Sequence, residues 1–168
     1  MQKLSLVLFA VLCIVSVASC EKDDICVEGN TPLLVLEFFD AANPEANKNV
    51  TALRIVGEGQ NSTVNTFTDR SNVNNVQIPL RTEMDATTFL IISNSATNDG
   101  GQETGNIDTL TFNYERLQDF ASRACGFVVN YDSLSTDLQT GSGNWILDIE
   151  IVRASITNSD STHVKIFH

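Results

Sequence analysis

Trp145-Ile146-Leu147-Asp148-Ile149-Glu150-Ile151-Val152 reads as a β-strand. With a period of two, Trp145, Leu147, Ile149 and Ile151 share one face, and Ile146, Asp148, Glu150 and Val152 share the other. One face is wholly apolar and the other mixed, as on a strand half exposed to water. Runs of the same kind recur in both directions. Toward the C-terminus, Asn158-Ser159-Asp160 separates the stretch 144–156 from a second run over 163–167, which predicts a closing hairpin. Toward the N-terminus, strand-like runs cover 33–39, 50–56, 62–67, 73–79, 87–92, 107–114 and 126–131. Breakers stand between them: Asn43-Pro44, Gly57-Glu58-Gly59, Asn98-Asp99-Gly100-Gly101 and Gly141-Ser142-Gly143. Leu33-Leu34-Val35-Leu36 is apolar on both faces, so this first strand is expected to be central or covered on both sides.

One segment does not fit the pattern. Over 114–124, Leu117, Phe120, Ala121 and Ala124 recur at helical spacing among good helix formers. A short helix is expected there, the alternative being an irregular continuation of the preceding strand. Eight or nine short strands with at most one short helix predict an all-β fold. The expected form is an antiparallel β-sandwich, immunoglobulin-like in general architecture, occupying 33–168.

The first residues carry an address. Met1-Gln2-Lys3 supplies one positive charge, Leu4 to Val17 is uncharged, and Ala18-Ser19 places small residues before Cys20. A basic start, a short apolar run and a small-residue cleavage site make a secretory leader over 1–19. The apolar run is shorter than the about 20 residues a membrane span needs. Glu21-Lys22-Asp23-Asp24 follows at once, against which a buried core element would hardly end. Residues 20–32 then read as a polar tether.

The segment Val17-Ala18-Ser19-Cys20 resembles a bacterial lipobox. The resemblance implies that the Cys20 thiol receives a diacylglyceryl group and becomes the first residue of the mature chain. Each buried methylene is worth roughly 0.8 kcal/mol and a single acyl chain binds only marginally, so two or three chains on one residue form a stable anchor. Of the four cysteines, Cys13 would leave with the leader and Cys20 would take the lipid. Cys26 and Cys125 remain as a pair in an oxidising compartment and are expected to form a disulfide. A closed loop of about 100 residues is worth up to about 4.7 kcal/mol in the chain-entropy picture. The alternative is two buried free thiols, which behave as small hydrophobes.

Charge narrows the partners. Losing Lys3 with the leader leaves nine basic residues against 21 acidic ones, a net charge of −12. That balance opposes nucleic acid phosphates and anionic membrane surfaces. The expected partners are the membrane, through the lipid, and an envelope protein or extracellular ligand of undetermined identity.

The neighbourhoods of the paired cysteines, residues 20–32 and 122–127, resemble a group of short lipoproteins of the Bacteroidota, known only as a domain of unknown function. The resemblance supplies no catalytic residue. It implies that Glu21-Lys22-Asp23-Asp24 acts as an export signal to the outer membrane, with the domain on the cell surface; the periplasmic face is the alternative. It also implies O-glycosylation at Asp followed by Ser or Thr. Asp108-Thr109, Asp132-Ser133 and Asp160-Ser161 fit, and Ser161 in the expected turn is favoured.

Catalytic chemistry finds little footing. A Ser, Cys or Thr nucleophile needs a positioned base. The two histidines are His163, expected to be an ordinary strand-end residue, and the terminal His168. No catalytic residue is therefore assigned. No metal and no cofactor beyond the lipid on Cys20 is expected. Asn94, Asn98, Asp99, Glu103, Asn106 and Asp108 crowd one loop with oxygen ligands suited to calcium, but such residues also build loops for local reasons. Asp148 and Glu150 are expected to be solvated or paired with Arg54, Arg81 or Arg153. Trp145 is expected in the core rather than on a glycan platform. The function expected is that of a non-catalytic, lipid-anchored interaction module. The alternatives are an envelope hydrolase using carboxylates and a glycan-binding module. A cleft holding a carboxyl with a raised pKa would favour the hydrolase. An exposed strand edge or apolar patch would favour the interaction module.

Replacing Cys20 tests the address. Cys20→Ala should move the protein out of the acylated membrane fraction while leaving the domain folded, as read by fractionation and circular dichroism. An acylated, membrane-bound variant would sink the lipoprotein reading.

Overall fold

In the computed structural model, residues 31–60 and 62–168 are described. Cys20 and Cys26, like the leader and most of the tether, lie outside them. Ten strands form two five-stranded sheets, with no helix among the described residues.

The first sheet is built around β1 (Leu34–Asp40). On one side β1 pairs in parallel with β10 (Val164–Phe167), through Leu36–Val164 to Phe39–Phe167. On the other side it pairs antiparallel with β5 (Asn75–Ile78) over its first half and with β2 (Asn43–Asn47) at its end. β9 (Asp148–Ile151) closes this sheet against β10 as an antiparallel pair. The double-faced apolar run therefore has strands on both edges, and Leu34, Val35, Leu36, Phe38 and Phe39 are all buried. β2 contains Pro44, which reads as a breaker in the sequence. A proline is tolerated at an edge, where its missing N–H faces solvent, and β2 is such an edge, exposed along most of its length.

The second sheet is wholly antiparallel: β4 (Ser71–Val73), β3 (Val50–Gly57), β6 (Ala86–Ser93), β7 (Asn106–Ser122) and β8 (Gly126–Leu138), in that order. Between the sheets lie Leu36, Phe38, Leu53, Ile55, Ile91, Leu110, Phe112, Tyr131, Ile156 and Ile166, each fully buried. The all-β sandwich follows from this layering: each sheet hides one face against the other.

Several expectations change in detail. The helix over 114–124 is absent, because β7 continues unbroken through Ser122 and pairs with β8 to its end. The ladder of backbone hydrogen bonds with β8 outweighs a helical spacing that finds no surface to bury against. The run 62–67 is not a strand; it touches β3 through one bridge, Val56 with Thr63, while Val64 and Phe67 pack on the core. The run 144–156 shortens to β9. Ahead of β9 the alternation is out of phase with the sequence expectation: Ile146 is 2% exposed and Leu147 66%. The buried Asp108 carboxylate causes this. Its Oδ2 accepts the N–H groups of Trp145 at 3.0 Å and Ile146 at 2.8 Å, which holds the chain in an irregular turn and points Ile146 inward.

That phase predicts unequal costs. Ile146→Ala should lower stability by about 2–5 kcal/mol, whereas Leu147→Ala should stay within about 0.5 kcal/mol of the parent. Urea unfolding midpoints of the two variants would show it; equal losses would contradict this packing.

Candidate functional site

Two places stand out from the sandwich: a projecting hairpin and a charged cluster at the opposite end of β6.

The hairpin is the outer part of β7 and β8. β6 accompanies β7 only from Asn106 to Asn113. Beyond Tyr114, residues 115–130 run on as a two-stranded ribbon. A bulge marks its root, where Ser133 takes a left-handed φ of 56°. There the buried Tyr114 and Tyr131 meet edge to face at 4.8 Å. The Tyr114 hydroxyl donates to the Arg81 carbonyl at 2.9 Å and lies 2.6 Å from the Thr87 hydroxyl. The Tyr131 hydroxyl donates to the Leu80 carbonyl at 3.3 Å. Burial raises both phenols, Tyr131 to about 12.

The tip is set by Arg123-Ala124-Cys125, a three-residue turn closed by Gly126 at φ 72°. Such loops need a left-handed residue before the second strand, which glycine supplies without strain. Cys125, half-buried, receives its position here, its N–H donating to the Ser122 hydroxyl at 3.0 Å. Alternation along the ribbon places Phe120 opposite Phe127 on the face that continues from the two tyrosines. Their rings meet edge to face at 5.5 Å, yet Phe120 is 60% and Phe127 70% exposed. Leu117 is exposed on the outer face.

The charged cluster centres on Glu103. Its Oε1 accepts N–H groups from Ala96, Thr104 and Gly105, and its Oε2 accepts the Ser95 hydroxyl at 2.8 Å. Arg54 and Arg70 each stand 3.5 Å from Oε2. Partial burial alone would push this carboxyl up, but the Gly105 N–H, the Ser95 hydroxyl and the Ala96 and Thr104 N–H groups outweigh it and hold it at about 2. Ala52, Arg70 and Asn94 all take left-handed φ values of 44°, 59° and 52° around the cluster. The N–H of Ala52 donates to Asn72 Oδ1 at 2.8 Å, and that of Asn94 to the Thr51 carbonyl at 2.7 Å. Gly105 fits because a Cβ there would come within 2.6 Å of Ile92 and 2.7 Å of the Ser93 carbonyl.

The remaining sequence candidates separate. In the loop weighed for calcium, Glu103 is turned onto its own backbone, and Asn98 Oδ1 is taken by the N–H groups of Gly100 and Gln102. Among the described residues, no group of three or more His, Cys, Asp or Glu could hold a metal ion. Glu150 pairs across the sheet with Lys165 at 3.7 Å, not with an arginine. Asp148 is exposed and bonds the N–H of Ile149.

His163 is buried ahead of β10. Its Nδ1 accepts the Val35 N–H at 3.0 Å, which fixes a neutral ring, and burial with Arg153 nearby lowers its pKa. Trp145 is half-buried, stacked on Phe38 at 6.3 Å with its indole N–H given to the Ile91 carbonyl. Its ring is therefore committed to the sandwich rather than to a ligand. Asp108 is buried, Ser133 is exposed at the arm's root and Ser161 is half-buried. A groove of about 560 Å³ beside the arm's root is lined by Gln60, Thr63, Asn65, Arg81, Thr87 and Phe89, among others.

The model of a family of unknown function (DUF6452) matches residues 52–168. The chain belongs to that family. The match takes in the whole second sheet from inside β3, the arm with Cys125, and the Glu103 cluster. No curated protein and no solved structure matches the chain. Membership in the DUF6452 family thus brings no residue roles, and the arm must be read from its own chemistry. Sequence reasoning missed the arm because helical spacing at Leu117, Phe120, Ala121 and Ala124 masked a period of two. The signal that could have found it is Cys125-Gly126 as a turn, with Phe120 and Phe127 at mirrored positions.

Glu103→Gln should cost about 1–3 kcal/mol at pH 7, because the arginines and the donors lose a charged acceptor. The folded pKa lies below the free value of 4.5. The charged carboxylate therefore contributes stability above pH 4.5 that fades as pH falls toward 2. The gap between parent and variant should close over that window in urea titrations; a constant gap would contradict the assignment.

Proposed function

We propose that this protein is a lipid-anchored, non-catalytic interaction module of the bacterial outer membrane. On this reading residues 1–19 are the leader, Cys20 carries the lipid, and Cys26 and Cys125 form a disulfide that ties the tether to the arm. The observation that carries the interaction role is the projecting ribbon 115–130. It presents strand edges that pair with no other strand among the described residues, together with exposed Leu117, Phe120 and Phe127. Long exposed edges and apolar patches are surfaces that natural proteins otherwise cover or blunt.

Electrostatics supports the same role. A hydrolytic general acid needs a carboxyl raised toward neutrality. The Glu103 and Asp40 carboxyls move the other way, Glu103 for the reasons above and Asp40 through the Ala42 N–H and then Lys48. The bridge has support in the cysteine count: with Cys13 lost with the leader and Cys20 taken by the lipid, Cys26 and Cys125 remain as a pair in an oxidising compartment.

The test is affinity capture from native membranes, with Leu117→Asp as the arm variant and Leu147→Asp, at an exposed position outside the arm, as control. The expected result is a partner recovered by the parent and the control and lost with the arm variant. Recovery of nothing, or equal recovery by all three, would overturn the interaction role.

A further inference from the structure

The groove of about 560 Å³ opens between the loop after β3 and the chain leaving β5. Val64 and Asn65 stand on the first side, Pro79 and Arg81 on the second, and the buried Thr87 and Phe89 of β6 close it. Arg81 reaches across. Its Nη2 donates to the Glu58 carbonyl at 3.2 Å, in the loop after β3, and its Nη1 donates to the Met84 sulfur at 3.4 Å.

The backbone of Arg81 is fixed as firmly. Its N–H donates to the Thr87 hydroxyl at 2.9 Å, and its carbonyl accepts the Tyr114 hydroxyl at 2.9 Å. Both hydroxyls belong to buried residues. A cation rooted in this way has little freedom left to lose when a ligand arrives.

Its charge, by contrast, is unmatched. Lys48, Arg54, Arg70, Arg116 and Lys165 each stand in an ion pair, and Arg81 stands in none. Asp85 in the same loop is taken by Arg116 at 2.6 Å. A guanidinium has five N–H donors, and the two partners of Arg81 are an uncharged carbonyl and a thioether.

We propose that this groove binds a small organic acid, its carboxylate held by the Arg81 guanidinium and its apolar body against Val64 and Pro79. The site lies off the arm and is independent of the partner proposed for it.

Charge and shape select this ligand. The guanidinium fork matches a planar carboxylate with two parallel hydrogen bonds. A phosphate would bring up to two charges to a single cation, in a chain with 21 acidic residues against ten basic. The volume lies within the roughly 300–1,000 Å³ of small-molecule sites, which join an apolar lining to a few placed polar groups. Among the described residues, the side chains of Gln60, Thr63 and Asn65 are engaged in no hydrogen bond, so the lining also offers amide and hydroxyl groups to a ligand.

The probe is N-acetyl-leucine, titrated into the full-length protein in non-ionic detergent and followed by backbone amide NMR. N-acetyl-leucinamide, which lacks the carboxylate, is the matched control. The expected result is saturable shifts at Val64, Asn65, Arg81 and Phe89, with the amide bound roughly tenfold more weakly, as for loss of a hydrogen bond between charged groups. Arg81→Gln should lose the same factor. Arg153→Gln, at an exposed arginine outside the groove, and Leu117→Asp on the arm should lose nothing. Absence of saturable binding by the parent, or equal affinity for acid and amide, would overturn the site, and both readings hold even if Arg81→Gln fails to fold. Equal losses in the two arginine variants would assign the effect to overall charge and overturn it as well. N-acetyl-dialanyl-leucine separates two sources of the same chemistry: tighter binding than N-acetyl-leucine assigns the carboxylate to a peptide chain end, and equal binding to a free acid, each supporting the site.

Discussion

The parallel pairing of β1 with β10 holds the two ends of the described chain together, and the rest of the sandwich depends on it. It is reinforced by a side chain: His163 accepts the Val35 N–H through Nδ1 while its own N–H donates to the Val35 carbonyl. The pairing gives β1 a neighbour on its second edge, and with it the first sheet becomes wide enough to cover the second. Closing contacts over more than a hundred residues is entropically costly and slow to form. The gain is a core in which Leu36, Phe38 and Ile166 are fully buried.

That closure also sets what is left over. The first sheet ends where β1 begins, but β7 and β8 do not stop there. The tyrosine pair at the arm's root is therefore a boundary. On its inner side apolar residues are buried by two layers; on its outer side the same face carries Phe120 and Phe127 in the open. A ribbon that outruns its partner sheet favours association, through its exposed apolar rings and through edges that have no strand partner among the described residues.

At the other end, the Glu103 cluster joins β3, β4 and the loop after β6. Its geometry depends on three non-glycine residues in the left-handed region. Such conformations cost of order 1–3 kcal/mol each and persist where the surroundings over-determine them. The Asn72, Thr51 and Leu53 bonds to these backbones, and the two arginines on one carboxylate, supply that constraint. The cluster is thereby a fastening of the second sheet's edge.

The sequence by itself determined the strand class and the central place of the first strand. A run such as Leu33-Leu34-Val35-Leu36 has no polar face to give to water, so it must be enclosed. It also determined which residue types could carry chemistry, and that these were few. What only the tertiary structure decided was phase, length and gathering. Ile146 rather than Leu147 points inward because Asp108, far away in the chain, captures two backbone N–H groups. The stretch 114–124 is strand rather than helix because β8 returns alongside it. Glu103 belongs with Arg54 and Arg70 rather than with Asn98 and Asp99 because the β3–β4 edge folds over its loop. Each outcome turns on a partner distant in sequence, and local periodicity carries no information about which distant group will arrive.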